Sequence, residues 1–365
     1  MAEVKLLEWL LLVPLIPYAV VLLLLCRSLK TVIRPGKRSG LNTPVSVIIS
    51  CRNEEERIPV LISDLSQQDY DPGLFEVIIV DDNSDDNTGK VASDFPGIRL
   101  MKVFQNKGRG KKSAVRTGVN ASTGKLILTT DADCRLKKGW ISSVVSAFEL
   151  SGADMVISPV VIEKGKCLGS WFQELEFLSL QGITAATAIN AVPVMCNGAN
   201  LAFTRRAFLE NSGNLKDNLV SGDDMFLLHG IKGDNGKVTW NGDYDAIVAT
   251  GGKKTFAGFL RQRARWLSKS GSYSDTFTII LSLLALLANI SIASLLAGSI
   301  FLPSLFLFFL AAFLVKSVPD FIILERMTRA YKRKDLLWWF APSQVIYPFY
   351  VIAVSFFCLA RGNRW

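Results

Sequence analysis

Apolar residues fill a few long stretches of this chain almost without interruption, while elsewhere they come in short β-branched runs, so two kinds of structure are predicted. The long stretches are Leu6 to Cys26, Phe277 to Val315 and Leu336 to Ala360. A bilayer core is crossed by about 20 apolar residues, so each is a candidate membrane helix. The first is broken only by Glu8 and by Pro14 and Pro17. It is longer than a signal-peptide core, has an acidic flank and is followed by no small-residue cleavage site, which predicts a retained anchor. The second is too long for one crossing. Gly298 and Pro303 near its middle predict two helices joined by a short turn, and Pro319 and Asp320 just beyond predict a polar, kinked end. Trp338 and Trp339 open the third stretch, where aromatic side chains favour the membrane interface. Four crossings are expected.

The short runs lie between about residues 40 and 270. Val45–Ser50, Glu76–Val80 and Lys125–Thr130 read as strands separated by helix-length segments, a pattern that implies a largely parallel α/β sheet. Asn53, followed by Glu54, Glu55 and Glu56, reads as a helix start. Ligands of such sheets bind at the carboxyl ends of the strands. Here those ends carry Ser50, then Asp81-Asp82-Asn83-Ser84, then Asp131-Ala132-Asp133. An Asp-Asp-Asn-Ser turn alone is ordinary loop chemistry. Asp-x-Asp says more, because two carboxylates one residue apart can turn toward one divalent ion whose other ligands are diphosphate oxygens and water.

Charge orients the chain. It carries 41 basic and 32 acidic residues among 365, half of them hydrophobic, with a mean hydropathy of +0.30. Arg27, Lys30, Arg34, Lys37 and Arg38 follow the first apolar stretch, and Arg326, Arg329, Lys332, Arg333 and Lys334 lie between the last two. Both clusters fall on one side of a four-span thread, the cytoplasmic side for short basic loops, although Arg361 and Arg364 favour the other side. The expected organisation is an N-terminal membrane helix over 1–27, a basic linker over 28–43, a cytosolic domain over 44–270 and a membrane domain of about three helices over 271–365. Cys51, Cys134, Cys167 and Cys196 are scattered and His229 is the single histidine, so a zinc site and a disulfide framework are not expected. The net charge of +9 follows from membrane flanks and a phosphate site, with no signature of nucleic-acid binding.

In order and spacing these pieces resemble the family 2 glycosyltransferases of the GT-A fold. The resemblance is to their membrane-integrated branch, which includes cellulose, hyaluronan and poly-N-acetylglucosamine synthases and ceramide glucosyltransferase. It runs over roughly residues 44–270 and the flanking helices. Its most specific element is Gln262-Arg263-Ala264-Arg265-Trp266, a QxxRW signature just before a membrane segment. The fold implied is a Rossmann-like, mostly parallel GT-A domain plus transmembrane helices. Ser50, Arg52, Asp82 and the nearby Asp81 would hold the uridine, with Lys111 of Gly110-Lys111-Lys112-Ser113-Ala114 near the nucleotide. Asp131 and Asp133 would bind Mg2+ or Mn2+ and the diphosphate, Asp133 more directly. Asn197, Gly198 and Asn200 of the Cys196–Asn200 stretch would lie near donor sugar and acceptor, as would Gln262 and Trp266. Asp224 of Gly222-Asp223-Asp224 would be the general base with Asp223 beside it, and Arg265 would contact the diphosphate. Asn83 stands where many members have glycine, a position asparagine tolerates because it accepts positive φ.

The activity implied is metal-dependent, inverting transfer from a UDP-sugar to a lipid or glycan acceptor at a membrane, taken as the bacterial inner membrane with the catalytic domain cytoplasmic. A processive polysaccharide synthase is the alternative, in tension with so few spans for a channel. A binding-only sugar-nucleotide subunit has no need of a base, and a nucleotidyltransferase has no need of QxxRW beside a membrane helix. Two features stay bland. His229 follows the aspartate pair at helical spacing and reads as packed. Trp171, Phe172, Leu175 and Leu178 form an apolar stripe that suits either core packing or an interfacial acceptor entrance.

Overall fold

The computed structural model describes residues 11–36, 38, 40–95, 97–216, 219 and 221–361. In chain order a helix α1 (Leu15–Ser28) is followed by β1 (Val45–Cys51), α2 (Ile58–Ser66), β2 (Phe75–Asp81), α3 (Thr88–Ser93) and β3 (Met101–Gln105). Next come α4 (Lys111–Ala121), β4 (Leu126–Asp131), β5 (Cys134–Arg135), α5 (Trp140–Ser151), β6 (Met155–Ile157) and β7 (Val160–Ile162). Then follow α6 (Leu168–Ile189), β8 (Leu201–Thr204), α7 (Arg205–Asn211), α8 (Asp223–Gly233), β9 (Val238–Trp240) and β10 (Val248–Thr250). The chain ends in α9 (Phe256–Leu267), α10 (Thr276–Gly298), α11 (Leu305–Ala330) and α12 (Phe340–Arg361). Two compact units result: a sheet unit of residues 33–163 and 191–251, and a helical unit of 1–32, 164–190 and 252–365.

In the sheet unit seven strands run in the order β3-β2-β1-β4-β8-β6-β9, and β5, β10 and β7 form a second, three-stranded sheet. The first four strands are parallel, and β8 is antiparallel to β4 and β6. The β-branched runs of β1 and β2 are buried almost throughout, as in a parallel sheet covered on both faces. Gly118 of α4 meets this sheet closely: a Cβ there would lie 2.6 Å from Ile48 Cγ2. Register then sets the functional edge. Ser50 pairs with both Val80 and Asp131, and Cys51 with Asp81, so the polar ends of β1, β2 and β4 are level.

One expected element moves. The helix after β1 begins at Ile58, with Arg57 as its N-cap, and not at Asn53. Asn53 takes φ +55°, its backbone N–H donates to Ser84 Oγ at 3.0 Å, and its side-chain oxygen accepts from the Asp85 N–H at 2.8 Å. The loop after β1 is thereby tied to the loop after β2, and a helix cannot start there.

Among the described residues, the helical unit has three helices long and apolar enough to cross a membrane, Thr276–Gly298, Leu305–Ala330 and Lys334–Ala360, the last including a short turn of helix before α12. The expected turn is present, with the Leu302 N–H donating to the Gly298 carbonyl at 2.9 Å. α11 runs on through Pro319 to Ala330, as the polar end of its sequence suggested. Of the expected first span, residues 6–10 lie outside the described residues, as do Lys37 and Arg364, and α1 itself has 14 residues. α6 and α9, from within the 44–270 segment, belong to this unit. Gly182 lets α6 approach α11, since a Cβ there would lie 2.5 Å from Ile323 Cγ2.

Candidate active site

At the carboxyl edge of the sheet, α4 starts after Gly110, whose φ of +84° turns the chain so that Lys111 opens the helix. The Lys111 ammonium pairs with Asp131 Oδ1 at the end of β4. Burial works against its charge, yet Asp131, Asp223 and Asp224 outweigh it and hold the Lys111 pKa above its ordinary value. Gly198 closes the cluster: a Cβ there would lie 3.4 Å from Lys111 Nζ and 3.7 Å from Asp224 Oδ2. Four predicted site residues from four separate segments thus meet at one point.

Each is fixed by its backbone. Asp223 and Asp224 form the first turn of α8, after Gly222 at φ +99°. Asp224 Oδ2 accepts the Gly198 N–H at 3.1 Å and Oδ1 accepts its neighbour Met225 N–H at 2.8 Å. The Gly198 carbonyl accepts from Thr129 Oγ1 at 2.9 Å, which ties the Asn197–Asn200 loop to β4. Asn197 Oδ1 accepts the Ala199 N–H at 3.0 Å within that loop. Asn200 is buried and serves the scaffold: its amide donates to the Pro159 and Ala246 carbonyls at 2.7 Å each, and its oxygen accepts from Trp140 Nε1 at 2.9 Å.

The residues expected to hold the nucleotide divide in the same way. Asp82 is buried and accepts from Asn106 Nδ2 at 2.6 Å and the Gly110 N–H at 2.9 Å, so it sets the loop that presents Lys111. Asp81 Oδ1 accepts the Ser84 hydroxyl at 2.6 Å and its N–H at 3.0 Å, closing the turn in which Asn83 takes φ +57°. Ser50 is half-buried, and Arg52 is exposed, 3.7 Å from Asp85.

Asp131 and Asp133 are both half-buried. They offer hard carboxylate oxygens suited to Mg2+ or Mn2+, and the surrounding excess of acid over base is one a divalent cation would neutralise. Among the described residues no group of three or more histidine, cysteine, aspartate or glutamate side chains could by itself hold a metal. Any ion here would therefore take much of its shell from a bound ligand.

The QxxRW helix, α9, lies in the helical unit. Its buried charged residue is Arg263, whose Nη2 pairs with Glu176 Oε2 at 2.6 Å while the guanidinium stacks 4.1 Å from the Trp266 ring. Tyr350 Oη donates to the same carboxylate at 3.1 Å. Arg265 and Trp266 are half-buried, and Gln262 Oε1 accepts from Arg263 Nη1 at 3.1 Å.

A profile of glycosyl transferase family 2 matches residues 46–213, which span β1 to the residues after α7. This segment is a family 2 glycosyltransferase domain. Glycosyltransferase AglE of Haloferax volcanii is 28% identical over half of this chain and 59% of its own length. The human dolichyl-phosphate beta-glucosyltransferase is 37% identical over 24% of this chain and 31% of its own. The chain thus spans under two thirds of the length of these relatives. Among solved structures, the mannosyltransferase PcManGT of Pyrobaculum calidifontis, in complex with GDP-Man and Mn2+, superposes with a TM-score of 0.58 over 96% of this chain and 99% of that one. At 18% identity that likeness shows the fold, a mostly parallel GT-A-like domain with carboxyl-terminal helices.

The glycosyltransferase domain also holds residues that the sequence pattern passed over. Glu54, read as helix-start chemistry, is partly buried; burial, and after it the nearby Asp133 and Asp131, hold its carboxyl above the usual range despite Arg57. Its signal was its position three residues past the end of β1. Asn106 is buried behind Asp82 with nothing in sequence to mark it. His229 is buried on α8, in line with packing. In the helical unit the α6 stripe is mostly core: Leu175 and Leu178 are buried, and Phe172 meets Tyr350 edge-on at 5.3 Å. Burial pushes the Cys51 thiol up to about 12, so it is inert near neutral pH.

Proposed function

We propose that this chain transfers a sugar, with inversion, from a nucleotide-diphosphate sugar, a UDP-sugar by resemblance, to a lipid acceptor at a membrane face. The observation that carries this reading is the meeting of Lys111, Asp131, Asp224 and Gly198 at the carboxyl edge of the sheet. One part of that cluster suits a diphosphate and another suits a hydroxyl. Lys111 offers a mobile ammonium to phosphate oxygens. Asp224, oriented by the Gly198 and Met225 N–H groups, takes the proton of the acceptor hydroxyl as its oxygen bonds to the anomeric carbon and the bond from that carbon to the phosphate oxygen breaks. A single displacement needs no second carboxylate nucleophile, and inversion follows. Held by Asp131 and Asp133, Mg2+ or Mn2+ would offset the negative charge that develops on the departing diphosphate. Arg265, Trp266 and Gln262 keep in this reading the donor and acceptor roles implied by the QxxRW resemblance. Three apolar helices and a relative named for dolichyl phosphate support a membrane lipid as acceptor.

The test is donor turnover by the purified full-length chain in lipid nanodiscs, with UDP- and GDP-sugars, Mg2+ or Mn2+, and mass analysis of the products. Metal-dependent nucleotide release with one sugar added to a lipid is the expected result. A long polymer would replace the lipid reading with a synthase, and no turnover with any donor would overturn the enzyme reading.

A further inference from the structure

A second polar site lies within the helical unit. A cavity of about 40 Å³ is lined by Tyr18 of α1, Glu176 and Ser179 of α6, Asp320 of α11, and Ser343 and Gln344 of α12. At about 10–15 Å³ for each water-sized group, it has room for about three or four oxygen atoms. Polar side chains at this depth among apolar helices are costly, and such sites mark function more often than packing.

Charge and depth narrow the ligand. Lys316 Nζ donates to Asp320 Oδ2 at 2.7 Å and to Gln344 Oε1 at 3.2 Å, and Tyr18 Oη donates to Asp320 Oδ1 at 2.7 Å. Arg263 and Tyr350 hold Glu176 in the same manner. Both cations are matched one-to-one by a carboxylate, so a phosphate entering the cavity would face Asp320 and Glu176 with its own charge uncompensated. An alcohol would not: the site offers hydroxyl, amide and carboxylate partners that suit an O–H group. At 1.5 Å per residue, Asp320 lies roughly 9 Å along α11 from Arg326, and Ser343 lies in the first turn of α12, just after Trp339. Arginine and tryptophan mark the membrane interface, so the cavity sits where the glycerol region of a lipid lies.

We propose that this cavity seats the hydroxyl end of an uncharged membrane lipid of the diacylglycerol type, bound within the helical unit. The test needs no sugar donor. The full-length chain in nanodiscs is irradiated with a diacylglycerol carrying a diazirine near its glycerol, and the labelled peptides are mapped by mass spectrometry. Labelling is expected around Ser179 and Ser343–Tyr347, chased by unlabelled diacylglycerol and not by undecaprenyl phosphate. Gln344→Leu and Ser179→Ala should each lower it about five- to tenfold, one hydrogen bond's worth. Ser179→Ala leaves both ion pairs intact and serves if Gln344→Leu misfolds. Labelling elsewhere, an equal chase by the phosphate lipid, or an unchanged Ser179→Ala would overturn the site. Labelling as expected without transfer to any lipid would remove the transferase reading and leave this site standing, and transfer to a phosphate lipid without labelling would remove this site alone.

Discussion

The two units treat charge in opposite ways. In the sheet unit one ammonium, Lys111, faces three carboxylates, and it and Asp131 keep 34% and 37% side-chain exposure. In the helical unit Arg263 with Glu176 and Lys316 with Asp320 are matched one-to-one, and no member exceeds 11% exposure. An acid excess open to water is tolerable and attracts cations. A buried charge is tolerable only when paired and hydrogen-bonded, because desolvation costs several kcal/mol per ion. The unbalanced cluster is therefore free to change partners during a reaction, and the balanced ones hold helices in place.

The sharpest way to break this contrast is Asp224→Asn. The amide keeps the size of the side chain and an acceptor for the Gly198 N–H, but it cannot take a proton. Sugar transfer should fall about 10²- to 10⁴-fold, while nucleotide-sugar binding by calorimetry stays within about twofold and the melting temperature is kept. A variant with full activity would end the assignment of Asp224 as base, and one that unfolds would move it to the structural group.

Removing one partner of a balanced pair should do the reverse. Arg263→Met leaves Glu176 buried without its cation, which destabilises by about 3–5 kcal/mol. Thermal unfolding in detergent should show a large loss for the single variant and substantial recovery for Arg263→Met with Glu176→Leu. No recovery in the double variant would mean that Arg263 has a role beyond the pair.

Glu76 tests whether the rule belongs to pairing or to location, because it is a satisfied carboxylate inside the sheet unit. It accepts from Ser46 Oγ at 2.7 Å, from the Thr123 N–H at 2.7 Å and from Lys102 Nζ at 2.9 Å. Burial alone would raise its pKa, and these bonds outweigh it and bring it down from 4.5 to about 2. A depressed pKa gives stability that is present above pH 4.5 and lost as pH falls toward about 2. Glu76→Gln should therefore cost about 2–3 kcal/mol near neutral pH. The gap from the native chain should narrow on acidification in denaturant titrations at several pH values, and a gap constant with pH would refute the ionic account.

What could be read in the sequence tracks this same division. Strand runs such as Val45–Ser50 and Glu76–Val80, and the turn at Gly298, are local patterns, and they appear where periodicity and turn residues place them. Asp131 and Asp224 were visible because both stand in short acidic motifs at a strand end and a helix start. Arg263 and Tyr350 could not be seen as partners of Glu176, since they lie 87 and 174 residues from it in the chain and only packing joins them. Asn53 misled for a related reason. Its preference for caps and for positive φ are both intrinsic, and a long-range bond to Ser84 decided between them.

The smallest expected effect is also the most discriminating for the open cluster. If Lys111 serves as a cation that yields to the donor, Lys111→Met removes both a phosphate partner and a competitor for Asp131. Donor affinity should fall about tenfold, the loss of one partly exposed charge contact. Mn2+ binding in the absence of donor, followed by the spectrum of free Mn2+, should tighten, because an acid excess of three carboxylates is left without its ammonium. Opposite signs for the two ligands are the signature of an exchangeable cation. Were both to weaken together, Lys111 would be a structural brace for Asp131, and the open cluster would differ from the buried pairs in exposure alone.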